Sequence, residues 1–302
     1  MRKLQVYIPP MDTTYGVISY NHFKPIQKHL PDSSYEIITF TLNDCERLKQ
    51  EYDLEKHVRL TFTLGFFFPA IYIPHGIADK GLRDVELINK QIISLYNGPA
   101  AVNELIRQGA KPEKLKVIGY PLLDEYFEKR KNRAAKENMK VAWCPTHAPT
   151  DLSVRDFRTS YRRFDAAYLR NYGFEVVTSL HPHNQDYRNF KMSVENFYDA
   201  DVVISDTSSV IYEALALGIP VIITKWLVSE VYGSERDIYS RAPGNEVCWL
   251  ANSQNEVLIY LNRIKTGLGQ GPKAHEFMEG IFPEELRGNS GKKAAETLLE
   301  YL

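Results

Sequence analysis

The stretch ADVVISDTSSVIYEALALGIPVII, Ala200 to Ile223, limits what this chain can fold into more than any other. It opens on an apolar run without polar alternation, crosses a row of polar residues and a short helical segment, and closes on a second apolar run. Strands that are apolar on every residue are buried on both faces, and such strands joined through a helix belong to a parallel sheet. Gly218, with Pro220 just beyond it, marks the helix end. A sheet core by itself does not call for Asp206, Thr207, Ser208 and Ser209 in succession where strand gives way to helix.

The same alternation runs along the chain. KLQVYI, YEIITF, AIYIPH, QIISLYN and KLKVIGYP read as strands of a first set, with CERLKQEYDL and AAVNELIRQG as helices among them. KVAWCPT, FEVVTSLHPH, ADVVIS, PVIITK and VCWLANS form a second set. Between them, DEYFEKRKNRAAKENMK is charged and helical, as suits a segment that few contacts cross. The expected organisation is α/β, with two doubly wound parallel-sheet domains over residues 1–130 and 131–285. A C-terminal helix over 286–302 follows, with Ala294, Leu298 and Leu302 along one side. Ligands of such sheets bind beyond the carboxyl ends of the strands, which narrows the search for function to the residues just after each strand.

Lys and Arg number 37 against 38 Asp and Glu, so no global charge draws the chain to nucleic acid or an anionic membrane. Cys45, Cys144 and Cys248 form no CxxC pair, which speaks against a disulfide framework or a zinc site. The start, MRKLQVYIPPMDTT, has no apolar stretch of signal-peptide length. The most apolar run, LTFTLGFFFPAIYIP, is broken by Gly65 and Pro69 and is too short to cross a bilayer. A cytoplasmic protein is expected, with a peripheral position at the inner membrane face left open.

A helix starting near Ser208 or Ser209 would present unpaired N–H groups and the positive end of its dipole. The hydroxyls of Thr207, Ser208 and Ser209 add donors, so the row headed by Asp206 suits a diphosphate, and Glu213 could accept from a ribose diol. The same residue types also cap helices that bind nothing. Thr146 and His147 close the KVAWCPTHAP strand, within which Cys144 reads as a buried structural thiol. In TSLHPHNQ, His181 and His183 point the same way, but a third metal ligand with sensible spacing is missing. A histidine there could donate to a phosphate oxygen or protonate a leaving group; a surface loop would carry the same residues. In IYIPHGIADKG, His75 precedes Gly76, where the backbone can turn sharply, and is a candidate general base with Lys80 as an acceptor-side cation. VRDFRTSYRRFDAAYLRNYGF sets Phe157, Tyr161, Phe164 and Tyr168 at helical spacing toward a core. Arg155, Arg158 and Arg162 share another face and, with EKRKNR (Glu128 to Arg133), make the candidate patch for a polyanionic acceptor.

ISDTSSVIYEALALGIPVII resembles the C-terminal nucleotide-binding motif of the CDP-glycerol glycerophosphotransferases, the enzymes that build teichoic-acid chains. PHGIADK, VIGYPLLD, WCPTHAP, SLHPH and RGNSGKKAAETLL are similar to further segments of that family in the same order. The likeness runs from about His75 to the C-terminus and departs from the family at Ile77 and Ala78, where it has Thr-Pro. It implies a GT-B fold, two Rossmann-like domains facing across a cleft, and chemistry with no metal and no cofactor beyond the activated donor. It further implies that His75 activates the acceptor, that His181 assists at the phosphates, and that Ser208 and Ser209 hold the diphosphate. Thr146, His183, Asp206, Thr207 and Glu213 complete the expected nucleotide site. The expected function is transfer from CDP-glycerol to an acceptor hydroxyl, with a glycerol-phosphate polymer or DNA as candidate polyanionic acceptors. A glycosyltransferase using a UDP-sugar, for instance on modified DNA bases, and a nucleotide-binding module without catalysis are the alternatives.

Overall fold

A computed structural model describes residues 2–65, 67, 69–77, 84–134, 137–147, 159–181, 191–228, 244 and 246–302. The chain forms two compact units, Met1–Glu125 with Glu279–Leu302, and Tyr126–Met278. In chain order the first contains β1 (Lys3–Ile8), α1 (Thr14–Gln27), β2 (Tyr35–Thr39), α2 (Cys45–Gln50) and β3 (His57–Thr61). Then come β4 (Ile71–Tyr72), α3 (Val85–Asn89), β5 (Ile93–Tyr96), α4 (Pro99–Arg107) and β6 (Leu115–Val117). α5 (Asp124–Lys131) leads to β7 (Lys140–Cys144), β8 (Glu175–Thr178), α6 (Ser193–Phe197), β9 (Val202–Ser205) and α7 (Val210–Ala216). β10 (Val221–Thr224), α8 (Lys225–Val228), β11 (Trp249–Ala251), α9 (Gln254–Lys265) and α10 (Ala274–Ile281) follow, and α11 (Ser290–Leu299) belongs again to the first unit.

The strand orders are β2-β1-β3-β4-β5-β6 and β11-β10-β9-β7-β8. Every pairing is parallel, with Val6 beside Ile37 and Leu60 in one sheet and Trp143 beside Ile204 and Thr178 in the other. Each order reverses once, between β1 and β3 and between β7 and β9. At such switch points the flanking crossovers leave on opposite faces and open a crevice at the carboxyl ends. Thr146 follows β7 and Asp206 follows β9, so both flank the reversal of the second sheet.

In the first unit Leu4, Val6, Val58, Leu60, Ile71 and Leu95 meet Phe23 and Ile26 of α1 and Ala294 and Leu298 of α11. Each fully buried aliphatic side chain here contributes roughly 1.5–3 kcal/mol relative to exposure. α1 has no clean apolar stripe: Asn21 and His22 interrupt it and Pro25 lies inside it. Packing selects it instead, helped by Thr13, whose hydroxyl accepts from the Gly16 N–H at 3.0 Å.

α11 is held at its start by another element. Asp124 Oδ1 accepts from the Ser290 N–H at 3.1 Å and Oδ2 from the Gly291 N–H at 2.6 Å. Ser290 Oγ accepts from the Tyr120 N–H at 3.0 Å and donates to the Leu286 carbonyl. Thus VIGYPLLD and RGNSGKK, far apart in sequence, form one joint. Burial pushes the Asp124 carboxyl up to about 6, against the two N–H bonds that favour its charge.

The stripe around Phe164 is corrected by the structure. Its described part is not one helix: Arg162 has φ 61°, and a 3₁₀ segment starts only at Ala166, capped by Asp165 and ended by Gly173 at φ 80°. Phe164 is nonetheless buried and Tyr161 and Tyr168 pack against the same core, while Phe157 lies outside the described residues. Thr159 and Ser160 are bonded to Asp206, which keeps the segment out of helical register.

Gly119 has φ 84°, and a Cβ there would lie 2.2 Å from Ser290 Oγ. Gly109, at φ 100°, has open space around it. Gly109→Ala should cost about 1–2 kcal/mol from backbone strain alone, and Gly119→Ala about 3 kcal/mol because the joint must also give. Urea unfolding of the two variants measures the difference.

Candidate functional site

In the second unit the polar row after β9 is built around Asp206, which is fully buried. Its Oδ1 accepts from the Thr146 N–H at 2.9 Å and the Thr207 N–H at 2.6 Å. Its Oδ2 accepts from the Ser160 N–H at 2.6 Å, the Ser160 hydroxyl at 2.9 Å and the Thr159 hydroxyl at 3.4 Å. Four firm donors on one carboxylate, with the Thr159 hydroxyl shared between it and the Thr146 carbonyl at 2.8 Å, tie three chain segments together at the sheet reversal. A carboxylate so enclosed has no face left for a phosphate, which it would repel in any case. Asp206 therefore ties the strand ends together, its oxygens engaged within the chain.

Thr207 and Ser209 are half-buried and Ser208 is buried. Ser208 Oγ accepts from the Val210 N–H at 3.4 Å, whereas Ser209, the residue before α7, makes no capping bond with its side chain. α7 has 7 residues, all buried, so its dipole is that of two turns and the hydroxyls and N–H groups carry more of any ligand interaction. Glu213 is 6% exposed on α7. Burial, with Glu213 and Asp206 adding to it, pushes the Cys144 thiol far up, so this cysteine is no nucleophile.

His147 and His181 follow β7 and β8, and their ring centroids lie 4.9 Å apart at 48°. The sequence pairs His181 with His183 instead; the β7–β8 pairing is what sets His147 against it. The sequence does not bring Thr159 and Ser160 to this edge, and it places His147 at the strand end without pairing it with His181. The adjacent hydroxyls in FRTSYRR were the available signal, hidden by the helical reading of that stretch.

In the first unit His75 is exposed three residues after β4. The Tyr15 ring meets its ring edge-on at 6.3 Å, and the Tyr120 hydroxyl donates to its carbonyl at 3.4 Å. Gly76 is not needed for a sharp turn: its φ is not left-handed, and a Cβ there would meet nothing within 4 Å. Beneath the turn lies His22, fully buried between Tyr120 at 5.1 Å and Phe62 at 6.1 Å, with neither ring nitrogen hydrogen-bonded. Burial, helped by the charge of His75, holds the His22 ring down at about 3; the nearby His75 carbonyl favours protonation but is outweighed.

The basic candidates fare differently. Arg162 is exposed, with its guanidinium 5.2 Å from the Tyr161 ring. Arg130 donates to the carbonyls of Tyr198 and Ala200, and Arg133 pairs with Asp201 at 2.9 Å. Two of the four cations of EKRKNR are thus taken up inside the second unit. Lys80, Arg155, Arg158 and His183 lie outside the described residues.

No protein-family model matches the sequence. No curated protein matches it. Solved structures do match in fold. A variant of the wall teichoic acid polymerase TagF superposes with a TM-score of 0.68 at 12% identity, covering 99% of this chain and 89% of that one. A histidine variant of the same polymerase soaked with CDPG gives 0.67 at 13% identity, covering 99% and 88%. UDP-GlcNAc 2-epimerase from Neisseria meningitidis, bound to UDP-GlcNAc, gives 0.55 at 15% identity, covering 99% and 100%. The fold is GT-B. Among the described residues no helix is long and apolar enough to cross a membrane.

The His22 shift sets a pH dependence. A ring held below its ordinary value of 6.5 contributes stability that is present above pH 6.5 and is lost as pH falls toward 3. The full effect is roughly 5 kcal/mol, as an upper limit. Asp124 acts in the opposite sense, its contribution being lost as pH rises from 3.8 through about 6. On going from pH 7.5 to pH 5 the urea midpoint of the wild type should therefore fall relative to that of His22→Leu; an equal change in both would place the sensitive group elsewhere.

Proposed function

We propose that the protein is a transferase that takes its donor as a nucleotide diphosphate, CDP-glycerol foremost, and passes the activated group to an acceptor hydroxyl. The observation that carries this reading is the β7–β9 strand edge of the second unit. There the N–H groups of Thr146 and Thr207 are tied to buried Asp206 at the sheet reversal of a GT-B fold, and the hydroxyl-bearing residues Thr207, Ser208 and Ser209 follow it directly. Hydroxyls and N–H groups preset around a charge-bearing site stabilise developing phosphate charge without reorganising, the largest electrostatic contribution available to such a reaction. Glu213 on α7 is the ribose acceptor in this reading, and His181 a donor at the phosphates.

His75 acts as the base. The acceptor oxygen attacks the phosphorus that bears glycerol, the bond from that phosphorus to CMP breaks, and the acceptor proton passes to the imidazole. The exposure of His75 and its seat against Tyr15 and Tyr120 support a ring that is held yet reachable. The polymerase soaked with CDPG favours CDP-glycerol as donor, and the epimerase bound to UDP-GlcNAc favours the second reading, a glycosyltransferase using a UDP-sugar. In that case attack falls on the anomeric carbon and UDP leaves. The acceptor is a hydroxyl compound; a polyanion would have to be met by residues other than Arg130 and Arg133.

Isothermal titration should detect binding of CDP or UDP to the wild-type protein at millimolar concentration or below. Failure with both nucleotides would end the donor reading. With a panel of CDP-glycerol and UDP-sugars, product masses should increase by glycerol phosphate under the first reading and by a sugar under the second. His75→Ala should lower turnover by about 10²–10⁴-fold while donor affinity stays within about twofold. Turnover within tenfold of wild type would exclude His75 as the base.

A further inference from the structure

At the edge of the second unit the adjacent strands β8, β7 and β9 end on His181, on Thr146 with His147, and on the Asp206–Ser209 row. The donors of that row are neutral hydroxyls and N–H groups, and the two carboxylates closest to it in sequence, Asp206 and Glu213, are buried. A diphosphate brought there needs a compensating positive charge. The two imidazoles, 4.9 Å apart, can supply it by taking up a proton. Other ionisable groups on the elements packed at this edge, among the described residues, are Cys144 on β7, Lys191 and Glu195 at α6, and Lys225 opening α8. The Cys144 thiol stays neutral, and Glu195 accepts from the Met192 N–H at 3.2 Å.

Rings this close cannot both carry a proton without repulsion, so their titrations are coupled and belong to the pair. A phosphate dianion removes that repulsion. We propose that His147 and His181 act as one proton-carrying pair at the donor's diphosphate, so that donor binding draws a proton from solvent. Occupation by the donor lets the pair take up a proton that repulsion between the rings opposes when the site is empty. His147 thereby becomes a charge-supplying residue of the site, with His181 as its partner. This rests on the nucleotide-donor reading.

Calorimetric titration of CDP at pH 7.5 in HEPES and in Tris separates the cases, since the binding enthalpy changes with buffer in proportion to the protons exchanged. The wild type should take up a substantial fraction of one proton per CDP, and its affinity should fall by up to about tenfold per pH unit above neutrality. His147→Gln keeps an N–H donor but no titrating ring at that position, and uptake should fall while CDP still binds. A proton carried by the terminal phosphate of CDP itself would persist in that variant. In the ligand-free protein, the His181 Cε1–H resonance should titrate at higher pH in His147→Gln than in the wild type. CDP binding without uptake, or uptake unchanged in the variant, overturns the pair and leaves the donor reading intact. If neither CDP nor UDP binds, the donor reading falls and the inference with it.

Discussion

The carboxylate of Asp206 is the acceptor on which the strand-end geometry of the second unit depends. Three segments arrive at the sheet reversal with backbone N–H groups that no ladder can satisfy: the end of β7, the turn at Thr159–Ser160, and the start of the polar row. A buried donor left unpaired costs about 1–3 kcal/mol, so one charged acceptor shared among them stabilises an arrangement that would otherwise open. Charge-assisted bonds are short and directional, which fixes the segments in position as well as in energy. In the proposed donor site, that rigidity would let charge be met without reorganisation.

The first unit rests on a different joint. There the chain returns after the second unit, and α11 is held by a carboxylate on α5 and a serine that fits only beside a glycine. Ala294 and Leu298 then complete the core against α1 and the sheet. His22 lies on that same α1, with both ring nitrogens unbonded under the His75 turn. A neutral buried imidazole in aromatic surroundings behaves as packing material near neutral pH and becomes a liability in acid. His75, a few ångströms nearer solvent, has none of that burial.

Much of this was legible in the chain. Continuous apolar runs such as VVIS and VIIT can only be doubly covered strands, and their regular separation by helices makes the sheets parallel. From there the carboxyl-edge rule picks out Thr146, His75, His181 and the Asp206–Ser209 row with no coordinates at all. Reading by period failed where local and tertiary demands part. FRTSYRRFDAAYL carries a helical stripe, yet bonds from Thr159 and Ser160 to a residue 46 or 47 positions away outweigh the helix, and the backbone turns through Arg162. α1 lacks a stripe, yet burial of Phe23 and Ile26 makes it a helix.

By itself the sequence determined the architecture and singled out the strand ends as the candidate zone, because hydrophobic period and turn residues are local properties that every residue in a run reinforces. Only the tertiary structure decided the roles. Whether a carboxylate meets a ligand or N–H and O–H groups depends on which strands end beside it. So does the choice of imidazole that faces His181, and whether an arginine such as Arg130 serves a partner or caps its own carbonyls. These contacts join residues from separate strands and helices, and their energies depend on burial, which no single stretch of chain specifies.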